Sequence, residues 1–262
     1  MKKLFIKILV VLAALGVIAI VGIALFLNSI VKKGVETVGP RVAQVEVKLD
    51  GVNLSMFSGK GVIKGLVVGN PAGFKTPNAI KVGKAGIAVN PRSVLSNKII
   101  IESVSVEAPE ITIEGGLTDN NLTKILANID AAVGRGDRGA RPPAGDQKPK
   151  PAKKLQVNDF AITGGKITLH LAVLGVIKSA TVPLPDIHFK DLGQGPEGIT
   201  SAELMKKVFQ TVTDEALKAA VKALADQSKG YLEAAKFLGP GATNSVGKAT
   251  KILGDLFKKK KE

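Results

Sequence analysis

Residues 78–89 read NAIKVGKAGIAV and residues 99–113 read IIIESVSVEAPEITI, and these two stretches decide the fold class. In both of them apolar residues recur at every second position, which is typical of a β-strand with one apolar and one polar face. The same alternation occupies 45–56 and returns in 155–189. The sequence therefore predicts one antiparallel sheet, formed by two segments of the chain, whose apolar face needs a covering layer.

Turn residues separate the predicted strands. Asp50-Gly51 has the composition of a two-residue hairpin turn, so we expect one strand to end and the next to begin there. Asn70-Pro71 and Pro91 mark further connections.

Helical periodicity replaces the alternation in other parts of the chain. Residues 117–133 carry an apolar stripe at helical spacing. Thr200 and Glu203 have the spacing of a capping box, and a long amphipathic stripe follows them. Two shorter helices are predicted after it, at 231–238 and 246–257. The predicted fold is therefore α+β, with amphipathic helices at the C-terminus.

The twenty residues from Ile8 to Leu27 contain no charged side chain. At ~1.5 Å per residue, a helix of this length spans the ~30 Å hydrocarbon core of a bilayer. A cleaved signal peptide is one alternative, but this run exceeds the usual ~7–15 apolar residues and ends in a poor cleavage site. A buried helix of a soluble fold is another alternative. The sequence favours a retained single-pass anchor with its short N-terminal tail in the cytoplasm.

Charge and composition restrict the partners. The chain has 37 Lys and Arg against 22 Asp and Glu, which favours an anionic partner such as lipid headgroups, an acidic protein or nucleic acid. Aromatic residues make up 4% with no Trp, so nucleic acid is disfavoured because stacking platforms are scarce. The basic surface is predicted to include Lys32, Lys33, Lys258, Lys259, Lys260 and Lys261.

Residues that carry out chemistry are few. The chain has no cysteine, which excludes disulfides, thiolate metal sites and cysteine nucleophiles. His170 and His188 lie in predicted strands without motif-spaced partners, and no nucleophile elbow, P-loop or H-E-x-x-H occurs. The sequence predicts a protein that is not an enzyme, with no catalytic residue, cofactor or metal site.

Composition divides the chain into five sections. A run of Gly, Arg, Pro, Ala and Lys interrupts the two β-rich segments, and such a composition is typical of a flexible linker. The predicted sections are 1–33 (cytoplasmic tail and anchor), 34–133 (first β-rich segment with a short helix), 134–154 (linker), 155–198 (second β segment) and 199–262 (C-terminal helices).

Part of the chain resembles the AsmA-like family of bacterial envelope proteins. The resemblance lies in GKGVIKGLVVGNP at 59–71, Gly73-Phe74, AIKVG at 79–83, 93–96 and 109–110, and near the C-terminus in VPLPDI at 182–187, DLG at 191–193 and GIT at 198–200.

The resemblance implies an inner-membrane anchor, a periplasmic location for most of the chain, and a curved, groove-like sheet akin to that of chorein-type lipid-transfer proteins. Large relatives are thought to carry glycerophospholipids between the two membranes along such a groove. This chain is too short for that, because ~10 predicted strands at ~4.8 Å each stack to only ~50 Å.

The leading hypothesis is a lipid-handling protein of the cell envelope that binds phospholipid on its apolar sheet face. A non-catalytic scaffold in an envelope complex is the alternative, and a hydrolase is a distant third. Alternation alone does not separate groove from core, and neither the lipid nor the oligomeric state follows from the sequence. The candidate groove residues are Val45, Val47, Leu49, Ile87, Val89, Ile99, Ile101, Ile167, Leu169 and Leu171.

Overall fold

The computed structural model describes residues 28–29, 31–55, 57–134, 153–173 and 176–238, without side chains at 95, at 171–178 and beyond 226. Helix α1 covers 31–43, after a helical start at 28–29. The other elements are β1 (Val47–Leu54), β2 (Lys60–Gly69), β3 (Asn78–Val89), a 3-10 turn (Pro91–Leu95), β4 (Lys98–Glu107), β5 (Glu110–Gly115), α2 (Asn121–Gly134), β6 (Lys154–Thr163), β7 (Lys166–Val173), β8 (Val176–Pro183), β9 (Ile187–Leu192) and α3 (Ser201–Leu238).

The strands of this part of the chain form one sheet in which consecutive short strands join into longer ones. β4 and β5 lie end to end beside β3, β6 and β7 lie end to end beside them, and β9 and β8 follow at the edge. At the junctions of β4 with β5, β6 with β7 and β8 with β9, the pairing register with the neighbouring strand continues unchanged. The sheet is therefore six long strands wide, and their order in space follows their order in the chain. The α+β prediction is confirmed.

The sheet is mixed, so the prediction of a purely antiparallel sheet is wrong. β4 pairs with β6 and β5 pairs with β7 in parallel, while the other neighbours are antiparallel. Helix α2 and residues 135–152 lie between β5 and β6, and a connection of that length can return the chain to the starting edge of the sheet. Strand direction depends on this crossover, which the alternation of side chains does not encode.

The apolar positions change phase by one residue at the same level in all six long strands. In β3 they change from Ile80 and Val82 to Ala85 and Ile87. Because the register between neighbouring strands is the same on both sides of this level, each strand contributes one extra residue there, and the apolar residues of both halves stay on one face. We call this level the bulge row. It contains Asp50, Gly65, Gly83, Ala108, Gly164 and Pro185, of which Gly65 (φ 62°), Ala108 (φ 47°) and Gly164 (φ 64°) have left-handed backbones.

Asp50-Gly51 belongs to the bulge row and forms no hairpin turn, so that prediction is wrong. β1 continues through both residues to Leu54, and the chain turns at 55–59 instead. Gly65 lies opposite Asp50, and a Cβ added there would lie 1.9 Å from Asp50 Oδ2. Glycine is therefore needed at position 65, both for its φ and for this close approach.

Helices cover the half of the apolar face that lies on one side of the bulge row. Helix α2 packs on β5, and α3 packs on α2, β7 and β8. Ile113, Leu122, Ile125 and Ile167 are completely buried between these layers. This half is the hydrophobic core of the protein.

Helix α1 lies along the free edge of β1 and satisfies donors that have no strand partner. Glu36 Oε1 accepts a hydrogen bond from the Leu49 N–H at 3.1 Å, and Asn28 Oδ1 accepts one from the Leu54 N–H at 2.9 Å. Capping of this kind protects an edge strand from pairing with another chain. α1 therefore runs antiparallel to β1, with its N-terminal end at the β1–β2 turn.

Helix α3 is one continuous helix where the sequence predicts two. The predicted capping box is confirmed, because the Glu203 N–H donates to Thr200 Oγ1 at 3.1 Å and the Thr200 N–H donates to Glu203 Oε2 at 2.9 Å. Helix α2 begins later than predicted, after Asn120, whose side-chain oxygen accepts from the Thr123 N–H at 3.0 Å.

No helix in the part of the chain that the structure describes is long and apolar enough to cross a bilayer. The predicted anchor from Ile8 to Leu27 and the predicted helix at 246–257 lie outside that part, as does most of the predicted linker.

Candidate functional site

The apolar face beyond the bulge row is only partly covered. Among the described residues, α2 packs most closely on β5 and α3 on β7 and β8, while β6 and β9 contribute Ile162 and Ile187 to the same core. On this side of the row Ile162 and Ile187 are still buried in the core, whereas the other large apolar side chains of β3, β4, β6 and β9, apart from Val157 and Leu192, are only half-buried. We call this surface the open patch. It consists of Ile87, Val89, Ile99, Ile101, Val104, Phe160 and Phe189, of which the two phenylalanines also pack against the core.

Cross-strand pairing fixes the geometry of the open patch. Val104 pairs with Ile87 on one side and with Phe160 on the other, and Phe160 pairs with Phe189. Residues directly opposite each other point to the same face, so these side chains form one row. The rings of Phe160 and Phe189 meet edge to face, with centroids 5.7 Å apart.

A second row of the patch lies nearer the β1–β2 turn. Val89 pairs with Ile101, and Ile101 pairs with Val157, which is buried together with its own partner Leu192. The backbone N–H of Val89 donates to the carbonyl oxygen of Gly59 in that turn at 2.9 Å. The patch therefore extends to the end of the sheet at which the β1–β2 turn lies.

The opposite face of the same strands is polar. Ser103 pairs with Asp159, and Asp159 pairs with Lys190. His188 and Ser105 are exposed on this face. This half of the sheet is therefore amphipathic, and its apolar side is the part that the chain's own helices leave open.

The predicted groove residues fall into two groups. Val45, Val47, Leu49, Ile167 and Leu169 are buried in the helix-covered half, so they belong to the protein's own core. Ile87, Val89, Ile99 and Ile101 lie in the open patch. Leu171 lies in β7 beside Gly115, and its side chain is outside the described set.

Three residues of the open patch are absent from the predicted groove, namely Val104, Phe160 and Phe189. All three stand at alternating positions in predicted strands, so alternation identifies them as face residues. Their exposure depends on where the helices end over the sheet, which is a tertiary property.

The predicted basic residues near the anchor lie on α1. Lys33 is exposed, whereas Lys32 Nζ donates to the Asp50 carbonyl at 3.1 Å and lies 3.9 Å from Glu36 Oε1. Lys32 therefore helps to fasten α1 to β1. Lys258, Lys259, Lys260 and Lys261 lie outside the described residues, as does the anchor from Ile8 to Leu27.

The most polar cluster of the fold is a joint that fastens the β2–β3 loop to α2. Asn121 Nδ2 donates to Asn70 Oδ1 at 2.7 Å, and Asn70 Nδ2 donates to the Thr76 carbonyl at 2.7 Å. Glu114 Oε1 accepts from the Lys75 N–H, and its Oε2 accepts from Thr76, each N–H bond being 2.7 Å long. The asparagine of the Gly-Asn-Pro-x-Gly-Phe segment is thus a structural connector.

Burial acts to raise the pKa of Glu114, but hydrogen bonds from Thr76 and Lys75 and the nearby His170 outweigh it. The pKa consequently lies below its ordinary value of 4.5. Because each amide and carboxylate in this joint has a partner, its geometry explains the local structure without a ligand.

Metal-ligating side chains do not cluster in the ranges that the structure covers. No three His, Cys, Asp or Glu side chains there lie close enough to bind one metal ion. His170 pairs with Glu114 across β5 and β7, and His188 is exposed on the polar face.

In comparisons with known proteins, no protein-family model and no curated protein matches the chain.

Proposed function

We propose that this protein is a non-catalytic, membrane-anchored lipid-binding protein of the bacterial cell envelope, with the open patch as the site for phospholipid acyl chains. The apolar run from Ile8 to Leu27 supplies the anchor, the N-terminus is cytoplasmic, and the sheet lies in the periplasm. The resemblance to the AsmA-like family supports the same placement and the same class of ligand.

One observation carries the proposal, namely that a contiguous set of large apolar side chains beyond the bulge row is only half-buried. A monomeric protein rarely leaves several adjacent large apolar side chains accessible without a binding role. Each acyl methylene transferred from water to such a surface contributes ~0.8 kcal/mol. A hydrocarbon chain lying across Ile87, Val104 and Phe160 would complete the cover that α2 and α3 begin.

The width of the sheet limits the mode of action. Six strands spaced ~4.8 Å apart are ~24 Å wide, which is narrower than the sequence predicts because nine short strands join into six long ones. Such a sheet can hold a lipid beside one membrane, but a single copy is too small to bridge two membranes.

The alternative function is a scaffold in an envelope complex. The observation that favours it is the burial of Val47, Ile167 and Leu169 in the protein's own core, which removes half of the predicted groove. In that case a partner protein would cover the open patch. Phospholipid is the better match, because the anchor fixes the domain beside a bilayer.

Photocrosslinking tests the proposal in the full-length chain. The protein is reconstituted in vesicles that contain a phospholipid with a photoreactive acyl chain, and the crosslinked peptides are mapped by mass spectrometry. We expect crosslinks in β3, β4, β6 and β9, in addition to those in the anchor. The carrying prediction is that Ile87→Asp removes the crosslinks to the sheet.

Ser105→Asp is the matched control, because it adds the same charge to the polar face of the same half of the sheet. It should leave the crosslinks intact. Crosslinks confined to the anchor in the unmodified chain, or equal in the two variants, would refute the lipid-binding site and leave the scaffold.

A further inference from the structure

The chain enters the sheet domain at the end that carries the β1–β2 turn. Asn28 binds the backbone of Leu54 at the last residue of β1, and Lys32 binds the Asp50 carbonyl one turn further on. The uncharged apolar run ends at Leu27, one residue before Asn28. Whatever structure that run adopts, it joins the domain at this end, which we call the turn end.

An exposed aromatic residue stands at the tip of the turn end. Phe57 is 81% exposed. Among the residues that the structure describes, no other large hydrophobic side chain is classed as exposed. The turn around it is fixed by hydrogen bonds, because the Gly59 N–H donates to the Ser55 carbonyl at 2.8 Å and the Val89 N–H donates to the Gly59 carbonyl. Phe57 therefore projects from an ordered turn.

The loops at the turn end are basic. The residues of 55–60, 90–98, 153–154 and 193–200 include five cations and a single acid, Glu197. The cations are Lys60, Arg92, Lys98, Lys153 and Lys154. Lys60 and Arg92 are exposed and form no ion pair with a carboxylate of the described residues.

The opposite end of the sheet lacks this bias. Its loops at 44–46, 70–77 and 116–120 contain Glu46, Lys75 and Asp119. Among the loops at the two ends of the sheet, the excess of positive charge thus lies at the end where the apolar run arrives. An aromatic side chain surrounded by cations is complementary to the interface of an anionic bilayer, where the ring enters the headgroup region and the cations bind phosphate.

We propose that the turn end docks on an anionic phospholipid bilayer, with Phe57 inserted into the headgroup region and Lys60 and Arg92 on phosphate groups. This orientation places the row of Val89 and Ile101 nearest the membrane, so the open patch begins at the bilayer surface. The inference rests on the proposed function for the anchor, and it adds the orientation and the residues that set it.

The absence of cysteine allows a direct test in the full-length chain. A polarity-sensitive fluorophore is attached through Ser58→Cys, beside the intact Phe57, and the protein is reconstituted in vesicles of phosphatidylglycerol and phosphatidylcholine. We expect a nitroxide on the lipid headgroup to quench this label several times more strongly than iodide in the aqueous phase. A label attached through Lys75→Cys, at the opposite end, should show the reverse preference.

Two further variants assign the contacts. Phe57→Ser and the pair Lys60→Glu with Arg92→Glu should each lower the quenching by lipid nitroxide at position 58, whereas Lys75→Glu should not. Equal quenching at positions 58 and 75, or no response to these variants, would overturn the docking surface.

The two proposals fail separately. Membrane contact at position 58 without acyl-chain crosslinks to the sheet would support the docking surface and refute lipid binding on the open patch. Crosslinks to the sheet with an aqueous label at position 58 would overturn the docking surface and leave lipid binding in place.

Discussion

At the scale of the residue, Glu114 shows how one carboxylate fixes a loop. It accepts hydrogen bonds from two backbone N–H groups and one hydroxyl of the β2–β3 loop. We expect Glu114→Gln to lower the free energy of unfolding by about 1–2 kcal/mol, because charged acceptors form stronger bonds than an amide oxygen. Urea titration followed by circular dichroism measures this. Glu110→Gln, on the exposed face of the same strand, should have little effect.

The same carboxylate makes stability depend on pH. Because the pKa of Glu114 is lower in the folded chain than its ordinary value of 4.5, its contribution is present above that pH. It is lost as the pH falls through the folded pKa. The pKa of Glu203 is also lowered, by the Thr200 N–H and hydroxyl first and by Lys154 last, against the opposing effect of burial, so it acts in the same direction.

Denaturation midpoints from pH 7 to pH 3 test this dependence. Glu114→Gln should flatten the acid side of the profile without abolishing it, since Glu203 remains. A variant profile parallel to that of the unmodified protein would contradict the assigned role.

At the scale of the element, the bulge row allows one apolar face to extend across six long strands. Gly65 and Gly83 lie opposite each other in this row but in different environments. A Cβ at position 65 would collide with Asp50 and strain a left-handed backbone, whereas one at position 83 would meet no atom within 4 Å. We expect Gly65→Ala to destabilise the fold by roughly 2–3 kcal/mol.

Gly83→Ala is the matched control and should be neutral or stabilising by about 0.5 kcal/mol, because alanine restricts the unfolded chain. Thermal and urea denaturation of both variants provide the comparison. Equal changes in the free energy of unfolding at the two positions would show that the fold does not depend on the left-handed backbone of Gly65.

The start of α3 offers a second prediction at this scale. Thr200 and Glu203 bond reciprocally, so Thr200→Ala leaves the Glu203 N–H, in the first turn of the helix, without its side-chain acceptor. We expect a loss of about 1 kcal/mol in the free energy of unfolding. Serine at the same position retains the hydroxyl acceptor and should recover most of that loss.

At the scale of the whole molecule, the packed core and the proposed binding surface occupy different halves of one sheet face. Ile113, in the helix-covered half, is completely buried, whereas Ile101, in the open patch, is only half-buried. We expect Ile113→Ala to cost about 3–4 kcal/mol and Ile101→Ala to cost about 1 kcal/mol, because only the first opens a cavity in a packed core. Urea midpoints at constant m-value measure both.

Comparable losses at the two positions would mean that the open patch is core. In that event its side chains would be packed and inaccessible to a lipid, and the scaffold would become the better interpretation.

The sequence by itself determined the kinds of element and the faces they present. Alternation at 78–113 is a local property of the chain, so it predicts strands and names their apolar side chains. The spacing of Thr200 and Glu203 likewise predicts the start of α3, because a cap depends on residues within one turn.

Tertiary structure decided which apolar residues are core and which are open. Ile167 and Ile101 are equivalent in an alternating pattern, yet one is completely buried and the other only half-buried, because cover depends on where the helices cross the sheet. The parallel pairing of β4 with β6 depends on a long crossover, and the bulge at Asp50 depends on Gly65 in the neighbouring strand. These are contacts between residues distant in the chain, and a local pattern carries no information about them.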